Sequence, residues 1–173
     1  MPRNDQSFFV EMTMDQSIQI LPGNLDCPEV AKLLQEHLAE MHSVSPPEST
    51  HALDLSQLKH PSVSFWTAHI ENRVVGCAAL KNFGNRNGEI KSMRTAVSHR
   101  GMGIGRKLIM HILATAKTQR YERLYLETGS MEFFQPARKL YEEHGFVYCP
   151  PFGDYVEDLN SVFMSLEICT ENP

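Results

Sequence analysis

The sequence predicts one three-layer α/β domain with a central mixed, mainly antiparallel sheet flanked by helices. Three observations carry that expectation. Apolar residues recur at helical spacing in two long segments. Several other runs are rich in β-branched and aromatic residues and are bounded by turn-forming ones. The order of these segments combines a strand meander with strand-helix-strand crossovers, which close around a single sheet.

The elements follow in order. Residues 1–16 show no sustained period and read as a mobile arm, a usual property of termini. The domain proper spans 17–168, and 169–173 form a tail. Ser17 to Leu21 is the first expected strand. After Pro22, Gly23 and Asn24, the positions Val30, Leu33, Leu34, Leu38 and Met41 predict an amphipathic helix from Pro28 to about His42. Pro46 and Pro47 stop it, and a polar loop follows, with a short helix expected around Ala52 to Leu58. Ser62 to Glu71 and Arg73 to Phe83 read as a hairpin turning at Glu71-Asn72; the second strand is apolar on both faces, as in a central strand covered by helices. Gly84 to Gly88 is a second turn, leading to a strand from Glu89 to Val97. Ile104, Leu108, Ile109, Ile112, Leu113 and Ala116 mark a long helix to about Thr118. A strand at Leu124 to Glu127, a helix at Gln135 to His144 closed by Gly145, and strands at Phe146 to Tyr148 and Ser161 to Ile168 complete the chain.

Composition narrows the function class. A chain of 173 residues with 42% hydrophobic and 21% charged residues suits one soluble globular domain. Its net charge of -5 disfavours a nucleic-acid partner, which would call for a basic face. The start MPRNDQSFFV lacks the apolar core of a signal peptide, and no run approaches a membrane span. Cys27, Cys77, Cys149 and Cys169 are too scattered for a disulfide framework. A cytoplasmic protein with no membrane partner is the resulting expectation. None of the histidine spacings makes a ligand pair, so no metal is expected.

The strongest chemical signal is Arg100-Gly101-Met102-Gly103-Ile104-Gly105, after a strand and at the opening of a helix. Glycines let backbone approach a ligand, and the unpaired N–H groups of a helix start attract anions. Arg100 and Arg106 add positive potential beside such a site. The residues fit a diphosphate but neither common nucleotide turn. A P-loop requires Gly-Lys-Ser/Thr where Gly105-Arg106-Lys107 stands, and a dinucleotide fingerprint requires a glycine at Lys107 or Leu108.

The pattern Arg/Gln-x-x-Gly-x-Gly/Ala does match, through Arg100, Gly103 and Gly105. So does Ala-x-x-Leu-Tyr-x-x-x-Gly-Phe, through Ala137, Leu140, Tyr141, Gly145 and Phe146. In this order, with a strand between them, the two motifs resemble the GNAT superfamily of acetyltransferases from about Ser17 to Ile168. That resemblance implies acetyl-CoA as co-substrate, no metal, and direct transfer of acetyl to an amine within a ternary complex. It implies cofactor contacts from the backbone of Met93, Arg94 and Thr95 on a strand splayed from its neighbour. Arg100, Gly101, Met102, Gly103, Ile104, Gly105 and Arg106 would hold the diphosphate. It casts Tyr141 as the group assisting thiolate departure and Glu89 as the base, whose bland alternative is an exposed strand-end carboxylate. Phe134 stands where many relatives have a CoA-contacting asparagine, with Gln135 as a substitute contact. The acceptor is expected between Met41–Leu58 and Pro150–Asp158, whose aromatic rings and carboxylates suit a cation. The tail resembles that of bacterial acetyltransferases of undefined substrate, which favours a small-molecule amine over a protein lysine or N-terminus. A non-catalytic acyl-CoA sensor is the rival from another class, and the resemblance also allows a homodimer.

Overall fold

The computed structural model describes residues 17–52 and 54–169. The expected N-terminal arm, and the expected tail beyond Cys169, lie outside the described residues. Seven strands, β1 (Gln19–Pro22), β2 (Val63–Ile70), β3 (Arg73–Gly84), β4 (Asn87–Thr95), β5 (Arg123–Gly129), β6 (Val147–Cys149) and β7 (Ser161–Glu167), form one sheet. Its order is β1-β2-β3-β4-β5-β7-β6. Every neighbouring pair is antiparallel except β4 and β5. The helices are α1 (Pro28–Val44), the one-turn α2 (Leu55–Leu58), α3 (Ile104–Thr118) and α4 (Gln135–Glu143).

Local chemistry sets these boundaries. Both hairpins turn on two residues with positive φ, Glu71 (48°) and Asn72 (64°), then Asn85 (52°) and Arg86 (58°), the conformation whose twist matches paired strands. The α2 turn begins later than the expected Ala52 because Asp54 caps it. Its Oδ1 accepts from Gln57 N at 2.8 Å, while Gln57 Oε1 accepts from Asp54 N at 3.0 Å. β4 ends at Thr95 rather than Val97, because Val97–His99 close into a 3-10 turn.

Alternation along β3 divides the core between the two faces of the sheet. Cys77 and Ala79 pack with Val30, Leu33 and Leu34 of α1 and with Leu58 and Phe65. Ala78 and Leu80 pack on the other face with Ile104, Leu108, Ile109 and Ile112 of α3, together with Tyr141 and Phe146. The central strand is therefore apolar on both faces because both are covered. Among the described residues, no helix is long and apolar enough to cross a membrane.

Candidate active site

The cleft originates in one irregularity of β4. Cys77 pairs with Arg94 but Ala79 pairs with Lys91, so β4 carries one residue more than β3 over this stretch. Ser92 takes up the surplus at φ 51°, and Cys77 Sγ donates to its carbonyl at 3.3 Å. Such a bulge bends a strand and re-aims its side chains. The parallel ladder between β4 and β5 ends at Ile90 and Leu126, although β4 continues to Thr95 and β5 to Gly129. The two strands part there and open a cleft of about 620 Å³.

One half of this cleft belongs to α3 and α4. Gly103, at φ 82°, is the N-cap of α3, and Gly101 lies at φ 80°; a Cβ added to either would meet nothing within 4 Å. Left-handed backbone is cheap only for glycine, and here it faces open space. The first helical bond runs from Lys107 N to Gly103 O at 3.1 Å, leaving the N–H groups of 104–106 without intrahelical partners. With the helix dipole behind them they make an anion site, and Arg100 and Arg106 line the same cleft. These features fit the diphosphate of a coenzyme. Gly105 has a different reason to be small, since a Cβ there would lie 3.0 Å from Leu140 Cδ2 of α4.

Tyr141 is 8% exposed, and its hydroxyl has only the soft acceptor Met93 Sδ, at 3.7 Å. Burial, and then the nearby charge of Glu127, push its pKa well above the usual phenol value. Phe134 lines the cleft and covers Gly129 of β5, where a Cβ would lie 2.0 Å from its ring. An apolar wall therefore stands where the family resemblance led to an expected asparagine, and Gln135, the expected substitute contact, does not line the cleft.

The other half faces α1 and is richer in charge than its sequence suggests. Glu89 is 6% exposed, so the reading of an open strand-end carboxylate is corrected. Its Oε1 accepts from Lys91 Nζ at 2.9 Å and from Tyr155 Oη at 2.5 Å, and it does not line the cleft. Glu40, Glu127 and Glu143 do line it, and of these Glu127 is the one whose pKa burial pushes up, to about 7. Arg94, also buried, donates from Nη1 to Glu40 of α1. Glu40 also accepts from Arg100 Nη2 at 2.9 and 3.0 Å. Burial would raise the Glu40 pKa, but its bonds from Arg100 and Arg94 outweigh that and lower it. His37, half-buried on α1, has its pKa driven down to about 4 by desolvation and then by the charge of Arg94.

Of the residues singled out from sequence, Met93, Arg94, Thr95, Arg100, Gly101, Gly103, Ile104, Gly105, Arg106 and Tyr141 line this one cleft. Met102 and Glu89 do not, and Met102 is 45% exposed. On the acceptor side Met41, Ser45, Ser49, Thr50, His51 and Ala52 line it, but none of Pro150–Asp158 does. Asp154 and Glu157 are exposed, which removes those carboxylates as a cation trap. Tyr155 reaches inward, edge-on to His51 at 5.0 Å between ring centroids. Sequence reasoning missed Glu127, Lys91 and Glu40. The available signal was a charge at alternate positions of strands otherwise apolar, as in Leu124-Tyr125-Leu126-Glu127. No group of three or more potential metal ligands is assembled among the described residues.

Comparison with known proteins agrees with this geometry. Residues 30–146 match the family model described as the acetyltransferase (GNAT) family. The chain is 52% identical over 140 residues to the uncharacterized N-acetyltransferase YsnE of Bacillus subtilis, covering 81% of this chain and 93% of the relative. A Klebsiella pneumoniae protein with a proposed acyl-CoA N-acyltransferase activity has a similar structure. Its TM-score is 0.76 at 26% identity, over 90% of this chain and all of the other. A GNAT family acetyltransferase of Elizabethkingia anophelis, crystallised with acetyl-CoA bound, shares the fold at TM-score 0.61 and 20% identity, over 88% of this chain and 99% of the other.

Proposed function

This chain belongs to the GNAT family of acetyl-CoA-dependent N-acetyltransferases, and from that premise we propose direct acetyl transfer to the amine of a small molecule. The observation that carries the reading is Glu127, a cleft carboxylate that burial raises to about 7, lining the same cleft as Tyr141 of α4, whose phenol stays protonated. A carboxylate poised near neutral pH beside a hydroxyl that stays protonated suits a base paired with a hydrogen-bond donor. The size of the cleft suits a small ligand, since such sites span ~300 to 1,000 Å³.

Bound acetyl-CoA supplies a thioester carbonyl as electrophile. The N–H groups opening α3 hold its diphosphate, and the unpaired edge of β4 from Lys91 to Thr95 offers backbone donors and acceptors to the pantetheine arm. One such N–H would steady the charge that develops on the carbonyl oxygen. Glu127 takes the proton that the amine nitrogen sheds as its bond to carbon forms. Tyr141 donates a hydrogen bond to sulfur as the carbon–sulfur bond breaks. Its raised pKa makes outright loss of the proton unfavourable, so stabilisation of the thiolate is its main effect. No cysteine is among the cleft-lining residues, and burial pushes Cys77 up to about 12, so the protein offers no thiolate nucleophile here. Glu89, first expected as the base, instead braces Lys91 and Tyr155 behind the cleft.

The test is release of free CoA across a panel of small amines, repeated with lysine-containing peptides. Glu127→Gln should abolish most turnover near pH 7 while leaving acetyl-CoA binding intact. Turnover on peptides alone would overturn the small-molecule reading. Full activity in Glu127→Gln, with loss in Glu89→Gln, would return the base to Glu89.

A further inference from the structure

The α1 half of the cleft contains more positive charge and more unused donors than the transfer chemistry requires. In a regular strand Lys91 and Arg94, three residues apart, would point to opposite faces. The bulge at Ser92 cancels one residue, so both pair with one face of β3, opposite Ala79 and Cys77. Two cations of one strand thus line the same side of the cleft, with side chains 8% and 4% exposed. Cations this buried are normally matched by carboxylates. Here Lys91 has Glu89, but Arg94 must share Glu40 with Arg100, so the three cations form ion pairs with only two carboxylates, and Glu127, the third nearby, is in direct contact with none of them.

The donors are unmatched as well. Arg94 Nε and Ser92 Oγ are buried without a hydrogen-bond partner, and both residues line the cleft. Lys91 has three N–H donors, of which two go to Glu89 Oε1 and Tyr155 Oη. Leaving buried donors unsatisfied is unfavourable, and a native site that keeps them points to an acceptor from outside. The missing partner is an anion with several acceptor oxygens.

Position says what that anion is attached to. Ile90 and Leu126 are the last paired residues of the β4–β5 ladder, so Lys91 and Glu127 are the first residue on each strand beyond it. Both lie on the α1 face. The group that would deprotonate the amine is therefore adjacent to buried cations that keep spare hydrogen-bond donors. We propose that the acceptor is an amino acid or a close analogue, whose carboxylate is held by Arg94 and Lys91 while its amine meets Glu127. This rests on the small-molecule reading above. Arg94 and Lys91 would then determine specificity, with Ser92 as an auxiliary donor.

Matched acceptors test it: the twenty L-amino acids, their carboxamides and the corresponding decarboxylated amines, each assayed with the full chain and acetyl-CoA. For the best acceptor, kcat/KM should favour the acid over its carboxamide by roughly 10- to 100-fold, as for hydrogen bonds to a charged group. Arg94→Lys keeps a cation for Glu40 but loses the Nε donor and the fork geometry. It should bring the preference below about 3-fold, mainly through KM, with the thermal shift produced by acetyl-CoA unchanged. Equal rates on acids and amides in the unmodified protein would overturn the proposal without any variant. So would turnover confined to carboxylate-free amines, which would leave the small-molecule reading intact. Retention of the full preference in Arg94→Lys would remove Arg94 from the role. Turnover on peptides alone would overturn both readings together.

Discussion

The two halves of the cleft are built in opposite ways. The α3 half comes from consecutive residues, where three glycines and two arginines within 100–106 surround one helix start. The α1 half is assembled from β4, β5, α1 and the loop after α1, with Tyr155 bracing it from the C-terminal segment. The first offers mainly backbone donors, and its side chains are small or peripheral. The second works through buried side-chain charges that hold one another in place. Backbone sites need only local sequence, whereas charge networks need the fold complete. Substitutions in the two halves should accordingly fail in different ways.

The largest expected effect is at Glu127. Glu127→Gln should lower turnover by about 10² to 10⁴ near neutral pH, the range for loss of a general base. In the unmodified protein, activity should rise with pH through about 7, because only the ionised carboxylate accepts a proton. Stability should move the other way. A folded pKa raised from 4.5 to about 7 gives stability that is complete below the unfolded value and lost as pH climbs between them. At pH 8 Glu127→Gln should therefore be more stable than the parent by about 1 to 3 kcal/mol, discounted for partial exposure, and the gain should vanish at pH 4. Denaturant titrations at both pH values measure it. An equal gain at both would mean that the carboxyl titrates normally.

Tyr141→Phe keeps the ring on Phe146 and Met93, so stability and cofactor affinity should hold while kcat falls about 10- to 1000-fold. An unchanged kcat would reduce Tyr141 to core packing. In the α3 half, Gly103→Asp places a charged side chain at φ 82° beside the diphosphate site. It should erase the stabilisation of ~2.7 kcal/mol that acetyl-CoA produces at 100 times its dissociation constant. A preserved thermal shift would mean that the cofactor sits elsewhere.

The smallest effect separates the halves most finely. Glu40→Gln removes the carboxylate shared by Arg94 and Arg100 without touching a reacting group. It frees Arg100 for phosphate while leaving Arg94 without its ion-pair partner. Acetyl-CoA should bind a few-fold tighter and the acceptor KM should change by less than about 10-fold, in a protein destabilised by ~1 to 3 kcal/mol. Equal weakening of both ligands would show Glu40 to be a general brace instead.

Much of the architecture was legible beforehand because burial imposes a period. The stripe of α3 and the two-sided apolar run of β3 predicted helices on both faces, and α3 ends at Thr118 as its pattern does. The glycine-rich helix start was legible because its donors, its glycines and its helix are neighbours in the chain. Tyr141 was legible only through a motif, since its spacing alone equally describes a core residue.

Amino-acid order by itself determined which segments become helices and strands, where they turn, and where a helix start leaves its N–H groups open, because each depends on residues within one or two turns of each other. Only tertiary structure decided that Glu89 is buried and occupied while Glu127 faces the cleft. That choice depends on a one-residue bulge at Ser92 and on a ladder that stops at Ile90 and Leu126. It also decided that Glu40, more than fifty residues from Arg94 in the chain, neutralises it. The reason is that charge is felt through space: its partners, its desolvation and its pKa are set by whichever elements pack around it, and no local pattern encodes which those will be.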